Sequence, residues 1–306
     1  MDRLTLPLPA RGIWLRVRSL LERARERLGP EAGSWKIGGG TVLAARWNHR
    51  ESTDLDLTVN AATAIPALFA GSDDDFEAEI RQRGGYSITF DRDRCTIRFS
   101  TGKLDLCALD PTPGEGHTVA LVDGEPAVVL NNAQILCGKL RRANRSPVRD
   151  VFDIVVAEKL DPHALAVAAN TRTARDIEAI AAAWRTSNPV FAYNAPLDLS
   201  GVGPEFAGDL MSIGHAAASA LTGARYERVR MYTGGDVGFV ETRTRNGVER
   251  EFTVEAATID EVFEATGLNH YLPQTGARPV HIRDRMRAAC RDGAEFVHDT
   301  ESRAAR

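Results

Sequence analysis

The chain has 306 residues, of which 43% are hydrophobic and 26% are charged, as in an ordinary folded protein. This length is typical of about two domains, each large enough to bury a core. With 38 basic and 42 acidic residues the formal net charge is −4, which excludes a uniformly cationic surface for nucleic acid or membranes but not a local basic patch.

The cysteines and the first residues bear on the compartment. The four cysteines show none of the close paired spacings of a metal or disulfide framework. The N-terminus lacks the basic and apolar parts of a signal peptide, and no run approaches the roughly 18 apolar residues of a membrane span. We therefore expect a soluble, cytoplasmic protein with reduced thiols and no membrane association.

The N-terminal part alternates helices with short β-type runs. Apolar residues at helical spacing predict an amphipathic helix over Ile13–Leu28. A short strand at Ser34–Ile37 then leads through three glycines into a helix from about Thr41 to Trp47. Ser52–Val59 alternates polar and apolar residues, as a half-buried strand does. The next predicted elements are a helix at Ala62–Arg83 and strands at Tyr86–Phe90, Cys95–Phe99 and Lys103–Leu109.

From Asn131 onward the pattern is mainly helical. Helices are predicted at Ala133–Arg142, from Val148, and at Pro162–Asn170, Ala174–Arg185, Phe206–Thr222, Ile259–Thr266 and Val280–Arg291. Asn188–Gly203 contains several Pro and Gly residues and is predicted to be a loop. Val237–Ala256 predicts a β-hairpin because its Asn246-Gly247 pair suits a tight turn. We expect an α+β protein with an α/β domain at residues 1–130 and a mainly helical lobe with a hairpin at 131–306.

The segment that indicates chemistry is Ile37–Val59, with the sequence IGGGTVLAARWNHRESTDLDLTV. Asp54 and Asp56 are two residues apart on the predicted strand, so both carboxylates leave the same face. They would repel each other without a cation, and Mg²⁺ prefers such oxygen ligands together with phosphate oxygens. The preceding glycines allow a phosphate to approach the backbone at a helix start, which predicts a metal–triphosphate site.

A third carboxylate is expected from a neighbouring strand. Asp105 is a polar residue within the apolar pattern of Lys103–Leu109, and it fits that position. Three carboxylates of this kind can hold two cations about 3.5–4 Å apart.

A second group of charged residues follows in the sequence ILCGKLRRANRSPVRDVFDI, residues 135–154. The chain has only four lysines against 34 arginines, so Lys139 within this arginine-rich helix suggests a point contact to a phosphate. Lys139 and the arginines around it form the densest basic cluster of the chain. This cluster could neutralise a triphosphate, the backbone of an acceptor RNA, or both.

The Gly-Gly-Gly-Thr segment followed by Ser-x-Asp-x-Asp resembles the nucleotidyltransferases of the DNA polymerase β superfamily. The later Lys-Leu-x-x helix and Arg-Asp-x-aromatic-Asp segment make the chain similar to the AbiEii/AbiGii toxins of type IV toxin–antitoxin systems, which include the MenT-like toxins. The resemblance covers about residues 34–156. It implies a polymerase-β-like nucleotidyltransferase core, a mixed sheet with flanking helices, followed by the helical lobe that completes the active site.

The resemblance also implies roles for individual residues. Those expected to bind the nucleotide are Gly39, Gly40, Thr41, Ser52 and Lys139. Arg142, from the basic cluster around Lys139, is a further candidate for nucleotide binding. Asp54 and Asp56 are expected to bind Mg²⁺ or Mn²⁺ and to be catalytic together with Lys139 and Asp150, with Asp153 as a further candidate. The implied reaction transfers a nucleoside monophosphate from a nucleoside triphosphate to the 3′ end of tRNA, and the implied partner is a cognate antitoxin protein.

Simpler interpretations remain open. The glycines could form only a tight turn, and Asp150 and Asp153 could pair with Arg149 or cap a helix. His49, between the glycines and the acidic strand, is expected to be an exposed loop residue. The acceptor could also be a small hydroxylated molecule, as in aminoglycoside nucleotidyltransferases. A non-catalytic nucleotide-binding interaction protein is the alternative from another class.

Overall fold

The structure is a computed structural model that describes residues 3–28, 35–59, 65, 76–91, 94–108, 118–143, 146–234, 237–255 and 295–299. The chain divides into two compact units. The first comprises residues 1–112, 116–131 and 199–203, and the second comprises residues 113–115, 132–198 and 204–306. The described chain is mixed α+β and contains a mixed sheet, which confirms the predicted fold class at that level.

The first unit is organised by an eight-stranded sheet. Its strands are β1 Arg3–Leu4, β2 Lys36–Gly38, β3 Leu55–Val59, β4 Gly85–Asp91, β5 Arg94–Phe99, β6 Gly102–Ala108, β7 Thr118–Val122 and β8 Glu125–Val129. Their order across the sheet is β1-β7-β8-β2-β3-β6-β5-β4. The acidic strand β3 is therefore central, between β2, to which it is antiparallel, and β6, to which it is parallel.

Three helices belong to the described part of the first unit: α1 Leu8–Leu28, α2 Gly39–Trp47 and α3 Phe76–Gln82. Helix α1 packs on β3 and β6, where Ile13 and Leu21 are buried with the leucines of those strands. It begins at Leu8, five residues before the predicted start. Of the predicted helix Ala62–Arg83, most of the part before Phe76 lies outside the described residues.

The second unit contains a group of helices. They are α4 Asn132–Arg141, α5 Val148–Leu160, α6 Pro162–Asn170, α7 Ala174–Thr186, α8 Asn188–Asp198, a 3₁₀ helix Pro204–Ser212 and α9 Ile213–Gly223. Helix α9 packs against α5 and α7 through fully buried small residues such as Ala217 and Ala220. The predicted helices at 259–266 and 280–291 lie outside the described residues.

The prediction of a loop over Asn188–Gly203 was wrong for Asn188–Asp198, which forms α8. Pro189 lies in the first turn of the helix, where the missing N–H of a proline costs nothing. The Asn188 side chain also accepts a hydrogen bond of 2.8 Å from the Gly214 amide, which fixes α8 against α9. Tertiary contacts therefore override the composition of this stretch.

A four-stranded sheet completes the described part of the second unit. Its strands are β9 Tyr226–Gly234, β10 Val237–Thr244, β11 Glu249–Glu255 and β12 Glu295–Asp299, in the order β11-β10-β9-β12. The turn between β10 and β11 has Gly247 at φ +83, the conformation that an Asn-Gly turn requires. The sequence did not predict β9 or β12. Among all described residues, no helix combines the length and apolar content needed to cross a membrane.

Candidate functional site

The glycine segment and the acidic strand meet in the first unit. Strand β2 ends at Gly38 and α2 begins at Gly39, which has a φ of +71. Gly38 lies opposite Asp56 in the β2–β3 register, and a Cβ atom added at Gly39 would lie 1.8 Å from Asp56 Oδ2. A side chain at position 39 would thus occupy the space of the carboxylate. Glycine is required here both by conformation and by close approach.

The start of α2 is suited to an anion. Its first turn contains no acidic residue, and its N-cap, Gly38, has no side chain that could cap the first N–H groups. The N-terminus of a helix carries partial positive charge on its first N–H groups. The Asp56 carboxylate lies against this end of the helix. A cation on that carboxylate and a phosphate on the helix start would therefore be neighbours.

The Thr41 hydroxyl is directed into the protein. Thr41 is fully buried, its Oγ1 lies 2.8 Å from Ser52 Oγ, and it donates a hydrogen bond to the Asp54 carbonyl oxygen. These bonds hold α2 to the segment that leads into β3. The Thr41 hydroxyl thereby fixes the position of the acidic strand. The roles of Thr41 and of the buried Ser52 in nucleotide binding stay predictions.

The side-chain alternation of β3 follows the predicted pattern. Leu55 and Leu57 are fully buried, whereas Asp56 is only partly buried and Asp54, directly before the strand, has 17% of its side chain exposed. Both carboxylates therefore belong to the polar face of the sheet. Asp56 is paired in the parallel β3–β6 register with Asp105, which brings the third predicted carboxylate to the neighbouring strand on the same face.

Asp105 is engaged by three donors. It is 1% exposed and accepts hydrogen bonds from Arg94 Nη2 at 2.5 Å, Thr96 Oγ1 at 2.5 Å and Lys103 Nζ at 2.6 Å. Burial raises the pKa of this carboxyl, but the hydrogen bonds from Lys103, Thr96 and Arg94 outweigh it and lower the pKa below its usual value. The side chain is thus held as a carboxylate.

The three carboxylates differ in how well they are placed to bind a divalent ion. Asp54 and Asp56 are partly accessible oxygen donors on one face, and Asp56 lies close against Gly39. Asp105 already has its oxygens occupied. Within the described ranges, no set of three His, Cys, Asp or Glu side chains is arranged to hold a metal ion. Asp54 and Asp56 therefore fit a metal, while binding at Asp105 requires its donors to move.

The second group of predicted residues lies in the second unit. Lys139 of α4 is 3% exposed, and its ammonium lies 2.5 Å from Asp150 Oδ1 and 2.7 Å from Asp153 Oδ2 of α5. Arg142 Nη2 lies 3.4 Å from the other Asp150 oxygen. A buried charge needs such partners because leaving water is costly. The two carboxylates thus hold the Lys139 ammonium in one place.

The prediction that His49 is exposed was wrong. His49 is fully buried, and its ring lies edge-on to Trp47 with 5.6 Å between the centroids. The loop that carries it is held by a distant segment, because the Gly203 amide donates to the His49 carbonyl oxygen at 3.2 Å and the Glu51 amide donates to Ser200 at 2.8 Å. Sequence spacing could not show this, since the two segments are about 150 residues apart.

Lys103 was not predicted from the sequence to belong to the site. Its ammonium lies 2.6 Å from Asp105 Oδ2 and 3.5 Å from Asp54 Oδ2, so it lies between two of the three predicted metal ligands. The sequence did contain a sign of this contact. Lys103 precedes Asp105 by two residues on a strand, which places both on one face.

Comparison with known proteins gives one family. The model of the AbiEii family, described as nucleotidyl transferase AbiEii toxin of a type IV toxin–antitoxin system, matches residues 21–201. The match covers more than half of the chain. It includes the glycine segment, the strands β3 and β6, and Lys139 with its partners Asp150 and Asp153. No curated protein and no solved structure matches the chain.

Proposed function

The chain belongs to the AbiEii family of nucleotidyl transferase toxins of type IV toxin–antitoxin systems, and on that premise we propose a specific reaction for it. An acceptor hydroxyl attacks the α-phosphorus of a nucleoside triphosphate. A bond forms from the acceptor oxygen to that phosphorus, the bond to the β-phosphate bridging oxygen breaks, and pyrophosphate leaves with its electron pair. The acceptor proton passes to solvent or to a nearby carboxylate.

One observation carries this proposal. The glycine segment and the Asp56 carboxylate are in contact, so a phosphate at the start of α2 and a charge on Asp56 would be adjacent. Binding alone rarely requires two adjacent carboxylates, because they repel one another in the absence of a cation.

The metal of the proposal is Mg²⁺ or Mn²⁺, held by Asp54 and Asp56. When bound, such an ion neutralises phosphate charge and lowers the pKa of an attacking hydroxyl. The residues of the chain position the phosphate and the acidic strand relative to each other. The N–H groups of Gly39 and Gly40 bind phosphate oxygens, and Thr41 fixes the acidic strand relative to them through its bonds to Ser52 and Asp54.

Four residues of the second unit have proposed roles of their own: Lys139, Arg142, Asp150 and Asp153. Lys139 and Arg142 bind the triphosphate, and Asp150 and Asp153 orient the ammonium from two sides. Family membership and the resemblance of this segment to the later motifs of the family support these roles. Positioning and charge neutralisation account for the catalysis, because phosphoryl transfer demands little covalent chemistry from a protein.

The proposed acceptor is the 3′ end of tRNA, and the proposed outcome is growth arrest relieved by a cognate antitoxin. Membership in a toxin family supports both. The other candidate acceptor is a small hydroxylated molecule, which would use the same nucleotide site.

The testing experiment is a transfer assay. Purified full-length protein is incubated with Mg²⁺, each α-labelled nucleoside triphosphate in turn, and total tRNA. We expect labelled tRNA with the wild type and with Asp198→Ala, a matched change at an exposed aspartate, but not with Asp54→Ala. Label on an aminoglycoside and not on tRNA would support the small-molecule acceptor. Triphosphate binding without transfer to any acceptor would contradict the proposed reaction.

A further inference from the structure

The polar face of the central strands carries charges of both signs. On β3 and the residue before it are Asp54 and Asp56, and on β6 are Lys103 and Asp105. Asp56 and Asp105 are register partners, and the Lys103 ammonium contacts Asp105 at 2.6 Å and Asp54 at 3.5 Å. The four side chains thus include one acidic pair, Asp56 with Asp105, and two pairs of opposite charge, Lys103 with Asp105 and Lys103 with Asp54.

A metal ion and the Lys103 ammonium cannot both occupy the space between Asp54 and Asp105. Mg²⁺ binds oxygen at about 2.1 Å, so an ion shared by these carboxylates would lie within about 2 Å of each. The Lys103 nitrogen already lies 2.6 Å from Asp105 Oδ2 on that side. Two cations at such separation repel strongly even with solvent screening.

The ammonium is fixed in this place by its surroundings. Asp105 is almost fully buried, and Arg94 and Thr96 hold its carboxylate from the β5 side. The Lys103 side chain is only 27% exposed, so it does not extend freely into solvent. A metal at this position would therefore have to displace the ammonium and break its 2.6 Å charge-assisted hydrogen bond to Asp105.

We propose that the Lys103 ammonium occupies the position that a second divalent ion would otherwise take between Asp54 and Asp105, so that this acidic cluster binds one divalent ion, at Asp54 and Asp56. The inference rests on the proposed metal site. Asp105, which is held by Arg94, then keeps the Lys103 ammonium in place. That ammonium supplies a fixed positive charge beside the ion. Lys103 is in this sense a positioning residue.

The test counts bound Mn²⁺ on the full-length protein by equilibrium dialysis and by the electron paramagnetic resonance signal of free Mn²⁺. We expect one bound ion per chain in the wild type and no bound ion in Asp54→Ala. Lys103→Met should bind two ions per chain. Lys103→Arg keeps the positive charge and should again bind one ion. Lys159→Met, a change at the half-exposed partner of Asp209, is the matched control and should match the wild type.

A second measurement covers the case in which Lys103→Met folds poorly. Lys103→Gln keeps a polar side chain on the strand, and its first Mn²⁺ should bind at least about tenfold more tightly than that of Lys103→Arg, because a repelling charge has gone. Circular dichroism confirms the fold of each variant.

The outcomes separate this inference from the proposed function. Two ions in the wild type, or one ion in both the wild type and Lys103→Met with equal affinity, would overturn the inference and leave the metal site of Asp54 intact. A wild type that binds no Mn²⁺ at Asp54 would overturn the metal site itself.

Discussion

Replacement of Gly39 by alanine tests the contact between the glycine segment and the acidic strand. The added Cβ would lie 1.8 Å from Asp56 Oδ2, whereas ordinary contact begins at 3.4 Å, so the carboxylate must retreat by about 1.6 Å. The backbone at φ +71 adds a penalty of about 1–2 kcal/mol for an L-residue in the left-handed region. Displacement of a reacting group by about 1 Å can cost about a hundredfold in rate.

We therefore expect Gly39→Ala to lower nucleotidyl transfer at least about a hundredfold while the free energy of unfolding falls by about 1–3 kcal/mol. Transfer of an α-labelled nucleotide measures the first quantity, and urea unfolding measures the second. Gly12→Ala is the matched control. Gly12 lies inside α1 with no atom within 4 Å of its added Cβ, so alanine there should leave transfer unchanged and stabilise the helix by about 1 kcal/mol.

One result would refute this reasoning. If Gly39→Ala folds and transfers nucleotide at the wild-type rate, the Asp56 carboxylate can move without consequence. The contact between the glycine segment and Asp56 would then be a feature of folding alone. Loss of activity in Gly12→Ala as well would show instead that the assay reports general stability.

Two further predictions concern the buried charges. Lys139→Ala removes an ammonium from two buried carboxylates, while Arg142 remains 3.4 Å from Asp150, and it should lower the free energy of unfolding by about 3–5 kcal/mol. Lys159→Ala, at the more exposed ion pair with Asp209, should change it by at most about 1 kcal/mol. Urea unfolding of both variants checks this, and equal small effects would contradict the buried cluster. The pKa of Asp105 is lowered in the folded state, so its contribution to stability is complete above pH of about 4 and is lost as the pH falls through the lowered value. The stability advantage of wild type over Asp105→Asn, measured by urea unfolding in EDTA, should therefore shrink as the pH falls below about 4. An advantage independent of pH would disprove the assignment.

Much of the first unit could be predicted because its sequence patterns are local. The period of two in β3 predicted correctly that Leu55 and Leu57 are buried and that the aspartates are on the other face. The hairpin of β7 and β8 was missed, although Asp123-Gly124 between two apolar runs is a typical turn sequence. Both residues have positive φ, at +53 and +91.

Errors arose where distant segments decide the environment. His49 looked like a loop residue because polar residues surround it in sequence, but its backbone is held by residues near position 203 and its ring is buried beside Trp47. Asn188–Asp198 looked like a loop because of its prolines, but the contact of Asn188 with α9 stabilises a helix there. Composition describes the chain near a residue, not what packs on it.

The charges around Asp56 show why a motif in sequence describes only part of a site. The contact with Gly39 connects segments fewer than twenty residues apart, and the motif contains both. The position of Asp105 beside Asp56 depends on the parallel pairing of β3 with a strand that begins 43 residues after β3 ends. A shift of that pairing by one residue would place a buried leucine beside Asp56 and turn Lys103 to the opposite face. The burial of Leu104 and Leu106 thus fixes the register, and the register is what places an ammonium among the carboxylates.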